Sequence, residues 1–176
     1  MFRADHVKVG YVMGAKTMTH LETVKEIYAL FGEGRIEAIL SKLSENVEWE
    51  YSNSSTSVPW LQPRKGRDNV VGFFQSLAAI DMKRFLPHTF LDGGQVVVVL
   101  LDVEFTVRAT GAQVVEIDEI HVWRFDTQGF VSRFKHGVDT HRHQLAISSA
   151  IAKPVISDRL LQCRRGWPAP DTPGVS

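Results

Sequence analysis

Glu119 and His121 stand two residues apart, and His136 follows in the next apolar stretch. A carboxylate and two imidazoles in hydrocarbon surroundings are suited to moving protons. The carboxylate favours a charged imidazole, apolar walls raise an isolated carboxyl, and histidine titrates near neutral pH. The three are therefore a candidate acid/base site. The same side chains fit a structural ion pair closing a sheet, or a ligand anchor without chemistry, because structural networks perturb pKa values too.

What brings them together is strand register. Side chains alternate across a strand. Residues 95–107 then present Val97, Val99, Leu101, Val103, Phe105 and Val107 on one wholly apolar face, and residues 114–125 present Val115, Ile117, Glu119, His121, Trp123 and Phe125 together. A hairpin centred near Gly111 pairs 105 with 117, 103 with 119 and 101 with 121. A tight turn at Thr127-Gln128 pairs 125 with 130, 123 with 132, 121 with 134 and 119 with 136, which sets His136 across from Glu119. The expected lining around the trio is Leu101, Val103, Ile117, Trp123 and Phe134, joined by Tyr28, Trp49, Tyr51 and Trp60. Asp102, Glu104, Arg108, Glu116, Asp118 and Arg124 fall on the opposite face, as a solvated ladder or, with Ile120 and Val122, a homodimer interface.

Upstream, Thr19-His20-Leu21-Glu22 has the form of a capping box before Leu21, Val24, Ile27, Tyr28 and Phe31 at helical spacing. A short helix with Ile36, Ile39, Leu40 and Leu43 follows, then an alternating strand Val47–Tyr51. Residues 52–63 form a polar loop carrying Trp60, and Asp68 to Leu77 reads as a third helix. Helices first and a strand meander after are the signature of an α+β domain, here a curved antiparallel sheet around an apolar pocket. Residues 19–140 are expected to form it, with 1–18 as a loose leader and 141–176 as a C-terminal extension in which Gln144 to Ala152 is helical.

Composition removes several alternatives. Lys+Arg and Asp+Glu both count 20, so there is no basic excess for a phosphate backbone. The single cysteine, Cys163, excludes an internal disulfide and a cysteine metal cluster, which suits a cytoplasmic setting. The run Val96 to Leu101 is too short to span a bilayer, so no membrane partner is expected.

The order and spacing of several motifs resemble the SnoaL-like branch of the nuclear transport factor 2-like superfamily over residues 21–140. They are Asn46-Val47-Glu48-Trp49, Val58-Pro59-Trp60, Arg64 through Val70, Phe90 through Val96, His121-Val122-Trp123-Arg124-Phe125, and Gly129 through Phe134, continuing to Asp139-Thr140. The resemblance implies a cone-shaped α+β roll, a deep pocket, dimerisation through the sheet, and activities such as polyketide cyclisation, epoxide hydrolysis or ketosteroid isomerisation. It implies no metal and no organic cofactor, although Glu119, His121 and His136 are types that ligate divalent ions. Cyclases and epoxide hydrolases of the family place an aspartate where this chain has His136. The epoxide hydrolases' Arg-x-Asp pair falls on Leu101 and Val103, and the isomerase base falls near Tyr51. The expected function is thus a variant: a small-molecule isomerase, cyclase or hydrolase on an apolar cyclic or polyketide-like substrate. His136 serves as base, Glu119 as its orienting partner and His121 as proton donor, with Tyr28 and Tyr51 as weaker donors. A non-catalytic ligand-binding protein, or a module binding a partner on the outer sheet face, are the competing readings.

Overall fold

Thr19 opens the first helix through a reciprocal cap. Its Oγ1 accepts from the Glu22 N–H at 3.1 Å, while Glu22 Oε2 accepts from the Thr19 N–H at 2.8 Å. Two N–H groups that the helix cannot pair internally are satisfied in this way. Helix α1 (His20–Gly32) then buries Val24, Ile27 and Leu30. The computed structural model describes residues 18–51 and 56–148, so the expectations for 1–17 and 149–176, Cys163 included, lie outside it. After α1 come α2 (Ile36–Leu40), β1 (Leu43–Trp49), a 3-10 turn (Pro59–Leu61), β2 (Arg64–Lys65) and α3 (Arg67–Ser76). The long strands β3 (Ile80–Asp92), β4 (Val96–Val107) and β5 (Gln113–Phe125) follow, then β6 (Val131–Gly137) and α4 (Thr140–Ser148). The α4 helix starts four residues before the expected one. No helix among the described residues is long and apolar enough to cross a membrane.

The strands form one curved six-stranded sheet in the order β2-β1-β6-β5-β4-β3, an α+β architecture. It is not wholly antiparallel: β1 runs parallel to β6, with Trp49 beside Phe134. The chain leaves β1 through α3 and returns to the far edge at β3, so the meander reaches β1 only with its last strand. Bulges bend the long strands, as extra unpaired residues do. Lys83 and His88 are inserted opposite β4, and one extra residue of β5 sits where Leu101 faces Glu119 but Val103 faces Glu116.

Strand β4 alternates without a break, its six apolar positions Val97 to Val107 buried. That face, the inner faces of β5, β6 and β1, and the apolar sides of α1, α2 and α3 make one core. The β5 bulge overturns part of the expected face. Upstream of it Val114 and Glu116 point inward, while Val115 and Ile117 point out; Ile117 is 63% exposed and is not a lining residue. Asp118 takes φ +56°, a left-handed conformation that lets the strand absorb the extra residue. From Glu119 onward the expected inner face resumes.

Candidate acid–base site

On β5, Glu119 and His121 project to the concave side, opposite Leu101 and Val99 of β4. Across on β6, His136 pairs with His121 rather than with Glu119, a register two residues from the expected one. A two-residue shift keeps every side chain on its face, so the trio still converges. The two imidazole rings lie 4.5 Å apart and nearly perpendicular. His121 Nε2 is 3.0 Å from Glu119 Oε1, and His136 Nε2 is 4.0 Å from the same oxygen.

Each histidine is held from behind. Tyr28, on the inner side of α1, places its hydroxyl 2.9 Å from His121 Nδ1. The Trp123 indole N–H donates to that hydroxyl oxygen at 3.0 Å. Because the ionised Glu119 carboxylate can only accept, the His121 proton sits on Nε2 toward it, and Nδ1 is left to accept the Tyr28 proton. The chain Trp123–Tyr28–His121–Glu119 is thus a directed relay. His136 Nδ1 bonds to the carboxylate of Glu50, which also receives the His136 backbone N–H at 3.3 Å.

Glu50 was not expected here. Simple alternation after Trp49 sends it outward and Tyr51 inward. Instead Glu50 adopts φ +57° at the end of β1, its N–H bonds to the Phe134 carbonyl at 2.7 Å, and its side chain is fully buried. The left-handed turn exchanges the two residues. Tyr51 therefore faces outward, its hydroxyl accepting from Arg124 Nε at 3.4 Å and its ring near Arg133 and Lys135. It does not border the cavity beside the trio and is no candidate donor. Both departures from expectation, at Glu50 and Asp118, occur at the two positive-φ residues other than glycine among those described. Sequence periodicity carries no signal of such a turn at a glutamate.

Burial alone would raise Glu119, but the His121 hydrogen bond and the charges of His121, His136 and His143 outweigh it and hold its pKa below the usual carboxylate range. His121 is held down by burial and by the neighbouring His136 charge, against the pull of Glu119. His136 is the reverse: burial lowers it, yet the Glu50 and Glu119 carboxylates raise it overall. Burial also drives the Tyr28 phenol far up, so it stays a neutral donor. Two imidazoles in one site are thus pushed in opposite directions, the pattern of a divided acid and base.

These groups open on a cavity of about 80 Å³. Of the expected lining, Tyr28, Trp49, Trp60, Val103, Trp123 and Phe134 border it together with Glu119, His121 and His136. Leu101 is fully buried on the same face but lies outside the lining. Further wall comes from Phe73, Phe85, Phe105 and His143.

His143 of α4 forms the far end. Trp60 Nε1 donates to His143 Nδ1 at 3.0 Å, which leaves the His143 proton on Nε2, 3.4 Å from Glu116 Oε1. Burial holds the His143 pKa down at about 4. A folded-state value below the unfolded 6.5 means that folding favours the neutral ring. Its contribution is complete above pH 6.5 and is lost as pH falls toward 4, about 3 kcal/mol in all. Glu116, raised by burial, partly offsets this. Urea unfolding at pH 7 and pH 4.5 should show the wild type losing a few kcal/mol more than His143→Gln. Equal losses would remove His143 from the acid sensitivity.

The family model described as a SnoaL-like domain matches residues 24–134. No curated protein shows a significant match. Among solved structures, an NTF2-like protein of unknown function from Burkholderia pseudomallei K96243 is 24% identical, with a TM-score of 0.63, covering 76% of this chain and all of that one. An NTF2-like protein from Burkholderia thailandensis E264 is 23% identical, with a TM-score of 0.65 and the same coverage of 76% and 100%. TerC, co-crystallised with polyporic acid, is 25% identical at a TM-score of 0.59, over 74% of this chain and 98% of its own.

Proposed function

From a chain that belongs to the SnoaL-like domain family, we infer a cofactor-free enzyme that transfers a proton on an apolar small molecule, as an isomerase, cyclase or hydrolase. The observation that carries this reading is the Glu50–His136 pair. With Nδ1 tied to Glu50, the His136 Nε2 is presented toward Glu119 and the cavity. A proton next to a substrate carbonyl passes to His136 Nε2, and Glu119 stabilises the resulting imidazolium. As Glu119 turns to the His136 imidazolium it releases His121 Nε2–H, which then donates to the developing oxyanion, backed by Tyr28 and Trp123. Glu50, rather than Glu119, is the orienting partner of the base.

The substrate class is a neutral carbonyl compound of ring size or smaller. The cavity of about 80 Å³ is near half the roughly 150 Å³ that accommodates benzene. The partly exposed lining residues Met82, Leu77 and Phe85 are the side chains whose rotation admits a larger polyketide-like molecule. A relative co-crystallised with polyporic acid supports a cyclic ligand. Incubation with cyclopentanone in D2O, followed by NMR, should show the protein exchanging the protons next to the carbonyl well above the buffer rate. Bound ketone with buffer-rate exchange would favour the non-catalytic ligand-binding reading.

The outer sheet face fits a homodimer. Leu86, Val115, Ile117 and Ile120 are 47%, 42%, 63% and 40% exposed there, more apolar surface than a solvated strand face needs. Sedimentation should give a dimer, and Ile117→Glu with Ile120→Lys a monomer. A monomeric wild type would remove the interface.

A further inference from the structure

We propose that Glu119, His121 and His136 form a binding site for one divalent first-row transition-metal ion, with its open coordination position facing the cavity. The inference rests on the geometry of the trio and not on the proton-transfer reading. Glu119 Oε1 is 3.0 Å from His121 Nε2 and 4.0 Å from His136 Nε2, and the ligand atoms of all three lie within 4.8 Å of one another. A tetrahedral ion at about 2.0–2.1 Å from each ligand needs separations near 3.3 Å. The Glu119–His121 distance therefore opens and the Glu119–His136 distance closes by less than about 1 Å, and the separation between the two imidazole nitrogens, at most 4.8 Å, closes by no more than about 1.5 Å.

The surroundings support it independently. Metal-ligating histidines hold their second ring nitrogen in a fixed hydrogen bond, often to a carboxylate, which sets the tautomer and aims the lone pair. His136 Nδ1 bonds to the fully buried Glu50, which aims its Nε2 lone pair at the site, and the Tyr28 oxygen, 2.9 Å from His121 Nδ1, is placed to accept from that nitrogen once an ion displaces the Nε2 proton. Both Nε2 atoms face the same carboxylate oxygen. None of the described lining residues is a lysine or arginine, so a dication beside Glu119 would meet no fixed cation in the cavity wall. Two imidazoles and one carboxylate, with a position left for water or ligand, match a three-ligand open site. On binding, the ion takes the place of the proton between His121 and Glu119. His121 then donates from Nδ1 to the Tyr28 oxygen, and the Tyr28 proton turns toward the cavity. The ion uses the lone pair that the base needs, so loading and proton transfer are mutually exclusive, and zinc acts on the enzyme as an inhibitor reversed by chelator.

Chelator-treated full-length protein titrated with zinc chloride by calorimetry should bind one ion per chain. His121→Gln, His136→Gln and Glu119→Gln should each lose that binding, and Glu50→Gln should weaken it about 10- to 100-fold. His88→Asn should leave it unchanged, which tests the exposed His88–Asp102–Asp118 cluster on the outer face as a competing site. Cobalt(II) added to the wild type should give the intense visible bands of four- or five-coordinate nitrogen–oxygen ligation, a readout independent of how any variant folds. The proposal is overturned by a wild type that takes up no zinc at millimolar concentration, by binding that survives the trio substitutions, or by a weak octahedral cobalt spectrum. Zinc binding is read without substrate and proton exchange in chelator-treated protein, so each reading can fail alone.

Discussion

Replacing His136 by Gln is expected to lower proton-transfer turnover about 10²- to 10⁴-fold, the usual worth of a positioned general base. Ligand affinity should change little, because Gln keeps the size and polarity of the side chain. The loss then appears in kcat, as expected for a group whose contribution is made in the transition state. The Glu50→Gln variant tests the same geometry one step removed. Its amide oxygen can still accept from His136 Nδ1–H, so the tautomer is kept while the charge that favours the imidazolium is lost. Its rate should fall between wild type and His136→Gln. Proton exchange of cyclopentanone, with affinity from intrinsic tryptophan fluorescence, measures both quantities. Wild-type turnover in His136→Gln would end the proposed role. A matched fall in affinity with no turnover in any form would make the cavity a binding site only.

The second large effect is on stability. Phe134 is 1% exposed and stands where β1, β5 and β6 meet. Its ring centroid is 4.1 Å from Trp49, 4.2 Å from Trp123, 4.7 Å from His136 and 5.1 Å from His121. Truncation to Ala removes both the transfer energy and the contacts of that ring, at a cost of about 3–5 kcal/mol. Against a total stability of about 5–15 kcal/mol this is a large fraction. Thermal unfolding should drop by about 10–15 °C for a chain of this length. Phe130→Ala, at a site 38% exposed in the turn before β6, should cost under about 1 kcal/mol. A Phe134→Ala cost below that of Phe130→Ala would contradict the packing described. Aromatic packing and the acid–base group share one wall, so Phe134→Ala should also loosen the His121–His136 geometry.

Much of the fold was legible because its signals are local. The capping box at Thr19 and Glu22 specifies the start of α1 through hydrogen bonds within four residues. The six apolar positions of β4 alternate without interruption, and a strand with one apolar face has one way to lie on a core. The family resemblance rested on motifs in order along the chain, and the family match over residues 24–134 agrees with it. Residue types and parity also gathered Glu119, His121 and His136 on one face. Around the trio the pairing expected from turn positions is displaced by two residues, with Glu119 opposite Leu101 and His121 opposite His136, and a displacement of two does no harm because side chains repeat every two residues.

Single-residue irregularities are where sequence reading stopped. The extra residue in β5 reverses facing upstream of Glu119, which sends Ile117 to solvent and brings Glu116 under His143. The left-handed turn at Glu50 does the same at the end of β1, exchanging Tyr51 for a buried carboxylate behind His136. Glu and Asp at positive φ cost strain that only surrounding tertiary contacts can hold in place. A pattern that depends on alternation cannot announce its own interruption. Local patterning suffices for the α+β class, for the apolar face and for placing Glu119, His121 and His136 on it. Which of them touch, and what stands behind each, depends on the folded chain, because parity survives a register error of two and fails at a bulge of one.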